Sequence, residues 1–349
     1  MLCRVLLLCV LCVVAPASVQ ADALARASLA GLSGSERLHQ FAMGQALLAN
    51  RGNPALTRAM RVSLRRGGYY HAGPGVAVVS RGWQVEPVLA YDANINGGFL
   101  NGQFRVHGLT FDVDPTRRAL SGMVGGARVL GHMRLSYGEG RHLDLRGTVE
   151  GAYSPQHRIG RARADVEACA RNHLSGWNFA DLCLSAGRSW RSLAVSNSGA
   201  VSMSFSRLHA ARASEHEFSV GVSRRFNGTT AQTLLSMGWT AVWNRAVTSL
   251  DLTLGAPVAG QTVLRERLHA SVAWRWQDRT MRGGIWHQRA NGGSLLGVGR
   301  ADRISGLSLS VQARPNMTVE LVHQVTRSSF GLFNENRTGL NLRIDLARR

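Results

Sequence analysis

The chain has 349 residues, of which 41 are basic and 21 acidic, so its formal net charge at pH 7 is +20. All of the basic residues are arginines. Because 45% of the residues are hydrophobic, the chain is too apolar to be a disordered polycation. The charge leaves three interpretations: a nucleic-acid-binding protein, a protein at an anionic membrane surface, or an arginine bias with little functional meaning.

Residues 1–21 have the pattern of a secretory signal peptide. One arginine, Arg4, precedes an apolar run at positions 5–14, and small residues then lead to Ala21. The apolar run is about half as long as the roughly 20 residues that span a bilayer. We therefore predict an exported protein that is cleaved after Ala21, which argues against a nucleic-acid partner.

Export also bears on the five cysteines of the chain. Cys3, Cys9 and Cys12 lie in the predicted signal peptide, so the mature chain keeps Cys169 and Cys183. An even pair in an oxidising compartment is a candidate disulfide, here across the neck of a polar loop, and two buried free thiols are the alternative. The histidines are scattered and no metal-binding motif is present, so we expect neither a metal nor a cofactor.

Residues 22–70 are predicted to form a periplasmic helical hairpin. Between positions 33 and 66 apolar side chains recur at helical spacing, and Gly52-Asn53-Pro54 divides the pattern into two arms of about 15 residues. The pattern resembles a single degenerate tetratricopeptide repeat. Because such repeats are stable only when stacked, the alternative is a helical hairpin that plugs or covers a neighbouring domain.

After a linker at residues 71–82, the sequence of residues 83–349 alternates with the two-residue period of β-strands. Runs such as residues 142–153 extend over about 9–12 residues, whereas strands of soluble proteins average about 5–6. Long, half-polar runs predict an all-β fold, an antiparallel transmembrane β-barrel of the bacterial outer membrane with about 14 strands. Residues 104–113 are the least secure strand.

Aromatic residues near the ends of the runs are candidates for interfacial girdles, and ordinary packing is the alternative. They are Trp83, Tyr91, Tyr137, Trp190, Trp239, Trp243, Trp274, Trp276 and Trp286. Residues 345–349 read DLARR and lack the terminal aromatic residue that many outer-membrane barrels carry. The expected partners of such a barrel are outer-membrane lipid, lipopolysaccharide and the barrel-insertion machinery.

Three motifs resemble the surface lipoprotein assembly modifier family. The first ends the first barrel strand and comprises Tyr91, Asp92, Asn94 and Asn96. Residues 108–122 are similar to the segment before the family's next long strand. The closing motif comprises Leu332, Phe333 and Arg337. Ala93 stands where the family has Ser, and both tyrosines of the family's closing motif are replaced.

The resemblance implies a periplasmic tetratricopeptide domain and a 14-stranded barrel that helps lipoproteins, or in some relatives soluble proteins, reach the cell surface. The implied partner is a client lipoprotein or secreted protein. Because the chain has at most one repeat where members of the family have several, we expect a shortened or different client-binding module.

A passive porin or another outer-membrane channel is the alternative function, and an arginine-rich lumen would favour anions. An outer-membrane hydrolase would need a nucleophile beside a histidine, and four histidines are predicted to lie in connections: His157, His209, His216 and His287. None belongs to a recognisable nucleophile motif, so we do not expect an enzyme.

Asp92, Asn94 and Asn96 allow two interpretations. They form either a rim that contacts a client or the closing strand, or an Asx turn that ends the first strand. In both interpretations, pairing of the first strand with residues 337–346 is expected to close the barrel.

Overall fold

The computed structural model describes residues 22–70 and 75–344. The predicted signal peptide and residues 345–349 lie outside this part. Three helices come first, namely α1 Asp22–Leu29, α2 Glu36–Ala49 and α3 Pro54–Gly67. None of the described helices is both long enough and apolar enough to span a bilayer.

The two predicted helical arms are α2 and α3, and side-chain caps define their starts. The Ser35 side chain accepts a hydrogen bond from the backbone N–H of Leu38 at 3.2 Å. The Asn53 side chain accepts from two N–H groups of the first turn of α3, and Pro54 occupies the first helical position. Gly68, with φ 81°, adopts the left-handed conformation that ends α3.

Most of the remaining chain forms a 14-stranded antiparallel sheet that curls into a barrel, which confirms the predicted fold class. Its strands are β1 Ala77–Asp92, β4 Gly122–Gly138, β5 Arg141–Ser154, β6 Ile159–Ser175, β7 Asn178–Arg191, β8 Ala194–Ala211, β9 Ser214–Asn227, β10 Thr230–Val242, β11 Ala246–Gly255, β12 Val263–Trp276, β13 Arg279–Leu295, β14 Val298–Arg314, β15 Met317–Ser328 and β16 Glu335–Ile344. Each strand pairs with its neighbours in chain order. A separate hairpin of β2 Gln103–Val106 and β3 Leu109–Asp112 lies between β1 and β4.

The first strand begins earlier than the sequence predicts. β1 starts at Ala77, inside the predicted linker at residues 71–82. Its register against β4 shifts between Val78 and Ser80. Such an irregularity interrupts the alternation of faces, so the start of the strand carries no two-residue period.

The least secure predicted strand, residues 104–113, is not part of the barrel wall. His107 and Gly108 have positive φ values of 49° and 83°, and they turn the chain back on itself. Two strands of four residues result, β2 and β3. Without this segment the wall has the predicted 14 strands.

The outward face of the barrel is apolar. On β9, Phe218, Val220 and Val222 are each almost half exposed, and they alternate with Ser219 and Gly221 of the other face. Large apolar side chains are exposed in the same phase along the other strands, including Val149, Val166, Leu182, Leu184, Met203, Leu309 and Leu340. A continuous apolar surface of this kind requires a covering lipid phase.

Most of the candidate girdle residues lie on this outward face. Trp83, Tyr91, Trp190 and Trp276 are all substantially exposed there. Trp286 is the exception, because it faces inward and is paired with Gly306 in the register of β13 and β14. Outward aromatic side chains near strand ends are typical of the two membrane interfaces.

The two ends of the barrel have connections of different length. At the end where β1 begins, turns such as residues 139–140 and 176–177 are short, whereas the other end has residues 93–121, 256–262 and 329–334. Outer-membrane barrels have short periplasmic turns and longer extracellular loops. The end where β1 begins is therefore the periplasmic end of this outer-membrane barrel.

The wall is nearly closed between its first and last strands. β1 and β16 lie side by side, but no hydrogen-bonded ladder joins them within residues 75–344. Glu86 of β1 and Arg343 of β16 form an ion pair across this seam, with 4.0 Å between Oε2 and Nε. The first and last strands are therefore neighbours, as predicted, but an ion pair rather than a hydrogen-bonded ladder connects them.

Cys169 of β6 and Cys183 of β7 are joined by a disulfide. They are directly opposite each other in the register, and their Cα atoms are 4.1 Å apart. The polar loop expected between them is instead a β-hairpin. Its strands continue to Ser175 and Asn178, and Gly176, with φ 55°, supplies the turn.

Replacing both cysteines with serine is expected to lower the free energy of unfolding by up to about 3 kcal/mol, the loop entropy of a bridge that spans 14 residues. The measurement is the urea midpoint at which the purified barrel loses its heat-modifiable migration on gels. Wild type treated with reductant is the matched control and should show the same midpoint as the variant. An unchanged midpoint in both samples would mean that the strand ladders already supply the constraint.

Candidate functional site

Helices α1 and α2 lie inside the barrel at its periplasmic end. The apolar residues of this region form one buried cluster with inward side chains of five strands, and the cluster consists of Leu29, Ala30, Leu38, Phe41 and Ala42 with Phe179, Leu208, Val242, Val247 and Ala273. The predicted hairpin comprises α2 and α3. The structure places α2, together with α1, within the lumen, which corresponds to the alternative of a hairpin that plugs a neighbouring domain. The barrel wall buries one apolar face of these helices, and a second cluster packs the three helices against one another. We name residues 22–70 the plug.

Two buried ion pairs fix the plug to the wall. Arg26 donates from Nε to Oε1 of Glu215 at 2.8 Å, and the two side chains are 7% and 1% exposed. Arg37 makes a two-pronged contact with Asp181, at 3.0 Å from Nη1 to Oδ2 and 2.5 Å from Nη2 to Oδ1. Removing one partner of a buried pair leaves an uncompensated charge, which costs about 3–5 kcal/mol.

A third contact joins the plug to β4, β5 and β6. Arg134 donates from Nη1 to Oε2 of Glu36 at 2.7 Å and from Nε to Oδ1 of Asp144 at 2.6 Å. Arg171 contacts the other oxygen of Asp144, at 2.9 Å. The wall therefore supplies charges of both signs at the places where the plug presents their complements.

Two titratable groups of the plug are neutral at pH 7. Burial lowers the pKa of His39, and this effect outweighs Glu36, whose negative charge raises the same pKa. Burial also raises the pKa of the Tyr69 phenol, and Glu36 raises it further.

At the extracellular end, the segment that follows β1 folds into the lumen. Ile95 is fully buried against the inward side chains Val124 and Ala152. The Asn96 carbonyl accepts a hydrogen bond from the N–H of Leu193, at 2.8 Å, in the turn between β7 and β8. The chain therefore crosses the inner faces of β4, β5 and β6, and we name residues 92–98 the crossing segment.

The polar residues of the first-strand motif build this crossing segment. Asp92 Oδ1 accepts a hydrogen bond from the N–H of Asn94 at 2.9 Å, which is an Asx turn. Asn96 donates from Nδ2 to the Arg118 carbonyl at 2.7 Å, so it joins the outgoing and returning chains. Tyr91, in contrast, lies on the outward face. Of the two interpretations given to these residues, the turn is the one observed.

The crossing segment is fixed by arginines of the wall. Arg161 donates from Nη1 to Oδ2 of Asp92, and Nη2 of Arg191 lies 3.6 Å from the same oxygen. Arg191 also donates to the Asn94 carbonyl. Asp92 is only 4% exposed, so its charge depends on these partners.

The same contacts continue around the wall to the seam. Arg161 donates from Nη2 to Glu150 Oε1 at 3.1 Å, and Arg128 donates from Nη2 to Glu150 Oε2 at 2.6 Å. Arg128 then reaches Glu86 Oε2 at 3.4 Å. We name the resulting series of alternating charges the charge ladder: Arg191, Asp92, Arg161, Glu150, Arg128, Glu86 and Arg343.

The lumen as a whole carries charges of both signs. Most acidic residues of the described strands face inward, and they include Glu86, Asp92, Asp144, Glu150, Asp165, Glu167, Asp181, Glu215, Asp251, Asp302 and Glu335. The opposite wall is lined by hydroxyl groups, among them Ser198, Ser202, Ser204, Ser219, Ser223, Ser236 and Ser249. The wall therefore presents both signs, and the inward arginines Arg146, Arg225 and Arg267 form no ion pair within the described residues, so the anion preference that the sequence suggests stays a prediction.

The closing motif lies at the same extracellular end. Leu332 is buried in a 3₁₀ turn between β15 and β16, and the guanidinium of Arg300 stacks 3.4 Å from the ring centre of Phe333. Arg337 faces inward on β16. Asn101 donates to three backbone carbonyls of this turn region and so links the β1–β4 connection to it across the seam.

Of the four histidines considered for catalysis, only His157 lies in a connection. His209, His216 and His287 lie within β8, β9 and β13, contrary to the prediction. His287 Nδ1 is 2.9 Å from Ser305 Oγ, and His323 makes an equivalent contact with a threonine on the next pair of strands. The repetition of the contact indicates ordinary cross-strand hydrogen bonds on the outward face.

No protein-family model matches the sequence, and a search of curated proteins finds no match. The resemblance to surface lipoprotein assembly modifiers therefore stays a prediction. Among solved structures, the chain is similar to the outer membrane protein OpdK from Pseudomonas aeruginosa, with 10% identity, a TM-score of 0.41, and coverage of 76% of this chain and 99% of that one. It is also similar to OprD from the same organism, with 10% identity, a TM-score of 0.39, and coverage of 79% and 96%. Acinetobacter baumannii OccAB4 gives 5% identity, a TM-score of 0.38, and coverage of 76% and 96%.

Proposed function

We propose that the protein is a selective outer-membrane channel for small zwitterionic solutes. The observation that carries this proposal is the charge ladder, which fixes the crossing segment inside the extracellular end of the lumen. A solute that passes the ladder meets guanidinium and carboxylate groups within a few ångströms of each other. A solute that carries both an anionic and a cationic group can contact both kinds of partner at once.

Because the charges within the charge ladder alternate, we expect that ions of one sign are not the favoured solutes. A lumen with unpaired arginines would concentrate anions, because a low-dielectric wall focuses the field. Here each carboxylate of the ladder contacts two arginines, and Arg161 and Arg128 each contact two carboxylates. The electric field of such an alternating series of charges falls off within a short distance. The series therefore discriminates between solutes by the placement of their charged groups rather than by their net charge.

The plug favours a small-solute channel over a protein translocator. An α-helix with its side chains is about 10–12 Å across, and α1 and α2 both lie within the periplasmic end of the lumen. A client from the periplasm would enter through that end. The path left beside the plug suits a small molecule rather than a folded domain.

Solute flux into proteoliposomes tests the proposal. Purified protein is reconstituted, and swelling rates are compared for a zwitterion, an anion, a cation and a neutral polyol of matched size, with empty liposomes as the control. We expect the zwitterion to enter at least about threefold faster than either ion, a difference of less than 1 kcal/mol in the barrier. Equal rates for all four solutes would indicate an unselective pore, and no flux above the control would contradict a channel.

A further inference from the structure

Three arginines lie side by side on the outward face of adjacent strands. Arg289 of β13 is directly opposite Arg303 of β14. Arg303 is in turn directly opposite Arg327 of β15. All three are in phase with the exposed apolar residues Leu307 and Leu309 of β14, so they point away from the lumen. We name Arg289, Arg303 and Arg327 the arginine row.

The arginine row lacks sufficient counter-charge within the protein. Arg289 pairs with Glu266 of β12, at 3.0 Å from Nη1 to Oε1. Arg303 and Arg327 are exposed and form no ion pair within residues 22–70 and 75–344. Directly opposite residues on one face have Cβ atoms about 4.5–5.5 Å apart, and like charges at that distance destabilise a sheet. A bound anion would remove this repulsion.

The position of the row specifies the kind of anion. Arg327 is the penultimate residue of β15, whereas Arg303 and Arg289 lie five and six residues inside the extracellular ends of β14 and β13. The outward apolar pair Ile285 and Leu307 lies four residues, or about 13 Å, closer to the periplasm than Arg289 and Arg303. Because the outward apolar band lies on the periplasmic side of the row, we place the row at the level of the headgroups of the outer leaflet. An anion held there would belong to a membrane lipid whose acyl chains cover the apolar face below.

The side chains just below the row suit a sugar headgroup. Two residues closer to the periplasm, His287 and Ser305 face outward and form a hydrogen bond of 2.9 Å. These polar groups lie between the arginines and the apolar band, and a purely hydrocarbon ligand could not form hydrogen bonds with the second ring nitrogen of His287 or the remaining lone pair of Ser305. A phosphorylated glycolipid offers phosphate at the level of the row and hydroxyl groups below it.

We propose that the arginine row binds the phosphate groups of the phosphorylated glycolipid in the outer leaflet. Planar guanidinium groups donate paired hydrogen bonds to phosphate oxygens, and two neighbouring arginines can hold one phosphate from both sides. The lipid replaces the missing counter-charge of Arg303 and Arg327. This proposal rests on the orientation of the barrel and is independent of the solute that the lumen carries.

Lipid binding by the purified barrel in an uncharged detergent tests the proposal. Bisphosphorylated lipid A, its dephosphorylated form and inorganic phosphate are titrated separately, and bound lipid is counted by native mass spectrometry. The test variant carries Arg303→Gln and Arg327→Gln. The matched control carries Arg188→Gln and Arg224→Gln, which remove two outward arginines that are not cross-strand neighbours.

We expect the test variant to bind bisphosphorylated lipid A at least about tenfold more weakly than wild type, and the control variant to lose less than about threefold. Equal losses in the two variants would overturn the proposal, because they would reflect total charge alone. Equal binding of the dephosphorylated lipid would also overturn it. If inorganic phosphate displaced lipid A at concentrations near the dissociation constant of the lipid, the arginine row would be a site for free phosphate rather than for a lipid.

A second measurement guards against a variant that folds poorly. Without anionic lipid, Arg303→Gln alone should raise the melting temperature, because it removes a like-charge contact on each side. Adding lipid A should then stabilise wild type more than this variant. A variant that melts lower than wild type without lipid would show that Arg303 is structural and would contradict the proposal.

Discussion

Deleting the plug, residues 22–70, is expected to raise the single-channel conductance of the reconstituted barrel by at least about fivefold, because two helices leave the interior of a 14-stranded barrel. The solute preference should weaken less, since the part of the charge ladder that contains Asp92, Arg161 and Arg191 lies at the extracellular end of the lumen. The measurement is conductance in planar bilayers at fixed salt. An unchanged conductance would mean that the plug does not lie in the ion path.

A second pair of substitutions tests the plug without removing it. Asp181→Asn and Glu215→Gln leave Arg37 and Arg26 buried without their anionic partners, at a cost of about 3–5 kcal/mol for each pair. We expect brief openings of high conductance on top of the basal current. The matched control is Asp165→Asn with Asp251→Asn, which removes two inward carboxylates that do not contact the plug. The same openings in the control would attribute them to wall charge rather than to plug release.

The sequence predicts the wall of this molecule because a wall strand has a strong local pattern. One face contacts lipid and the other contacts the lumen, so the alternation in residues 142–153 identifies a strand without knowledge of its neighbours. The same rule failed at residues 104–113, where His107 and Gly108 turn the chain back. Helix capping at Ser35 and Asn53 is local too, and these caps define where the two helical arms begin.

The contents of the lumen could not be predicted in the same way. The plug is fixed by contacts between residues far apart in the chain, such as Arg26 with Glu215 and Arg37 with Asp181. Periodicity carries no information about such pairs, because they depend on where a helix is placed inside the wall. The sequence around Arg26 and Arg37 does not indicate that their partners lie on distant strands.

The charge ladder and the arginine row depend on strand register. The sequence drew attention to Asp92, but its partners Arg161 and Arg191 come from two strands that the crossing segment reaches only after folding. Arg303 and Arg327 are neighbours only because β14 and β15 pair in one register, and a shift of one residue would turn them toward opposite faces. Composition indicated an excess of arginine, but only the register shows which arginines face the lumen and which face outward.

Replacing Asp92 with asparagine is expected to separate two roles of this residue. Asparagine keeps the side-chain oxygen that accepts from the N–H of Asn94, so the Asx turn persists. The substitution removes the negative charge that faces Arg161 and Arg191. Because less negative charge then balances these arginines, the electrostatic potential at the extracellular end of the lumen becomes more positive. Chloride should therefore carry a larger share of the current.

The reversal potential across a potassium chloride gradient measures this change, and it should shift toward the chloride equilibrium potential. We also expect a loss of stability of about 2–3 kcal/mol, below the range for a fully broken buried pair because Arg161 keeps its contact with Glu150. Asp92→Ala is the matched comparison. It removes the turn acceptor together with the charge, so the crossing segment should loosen and the current should become noisier, whereas Asp92→Asn should remain quiet. If Asp92→Asn left the reversal potential unchanged, the crossing segment would lie outside the ion path, and the selectivity of the channel would have to arise elsewhere along the wall.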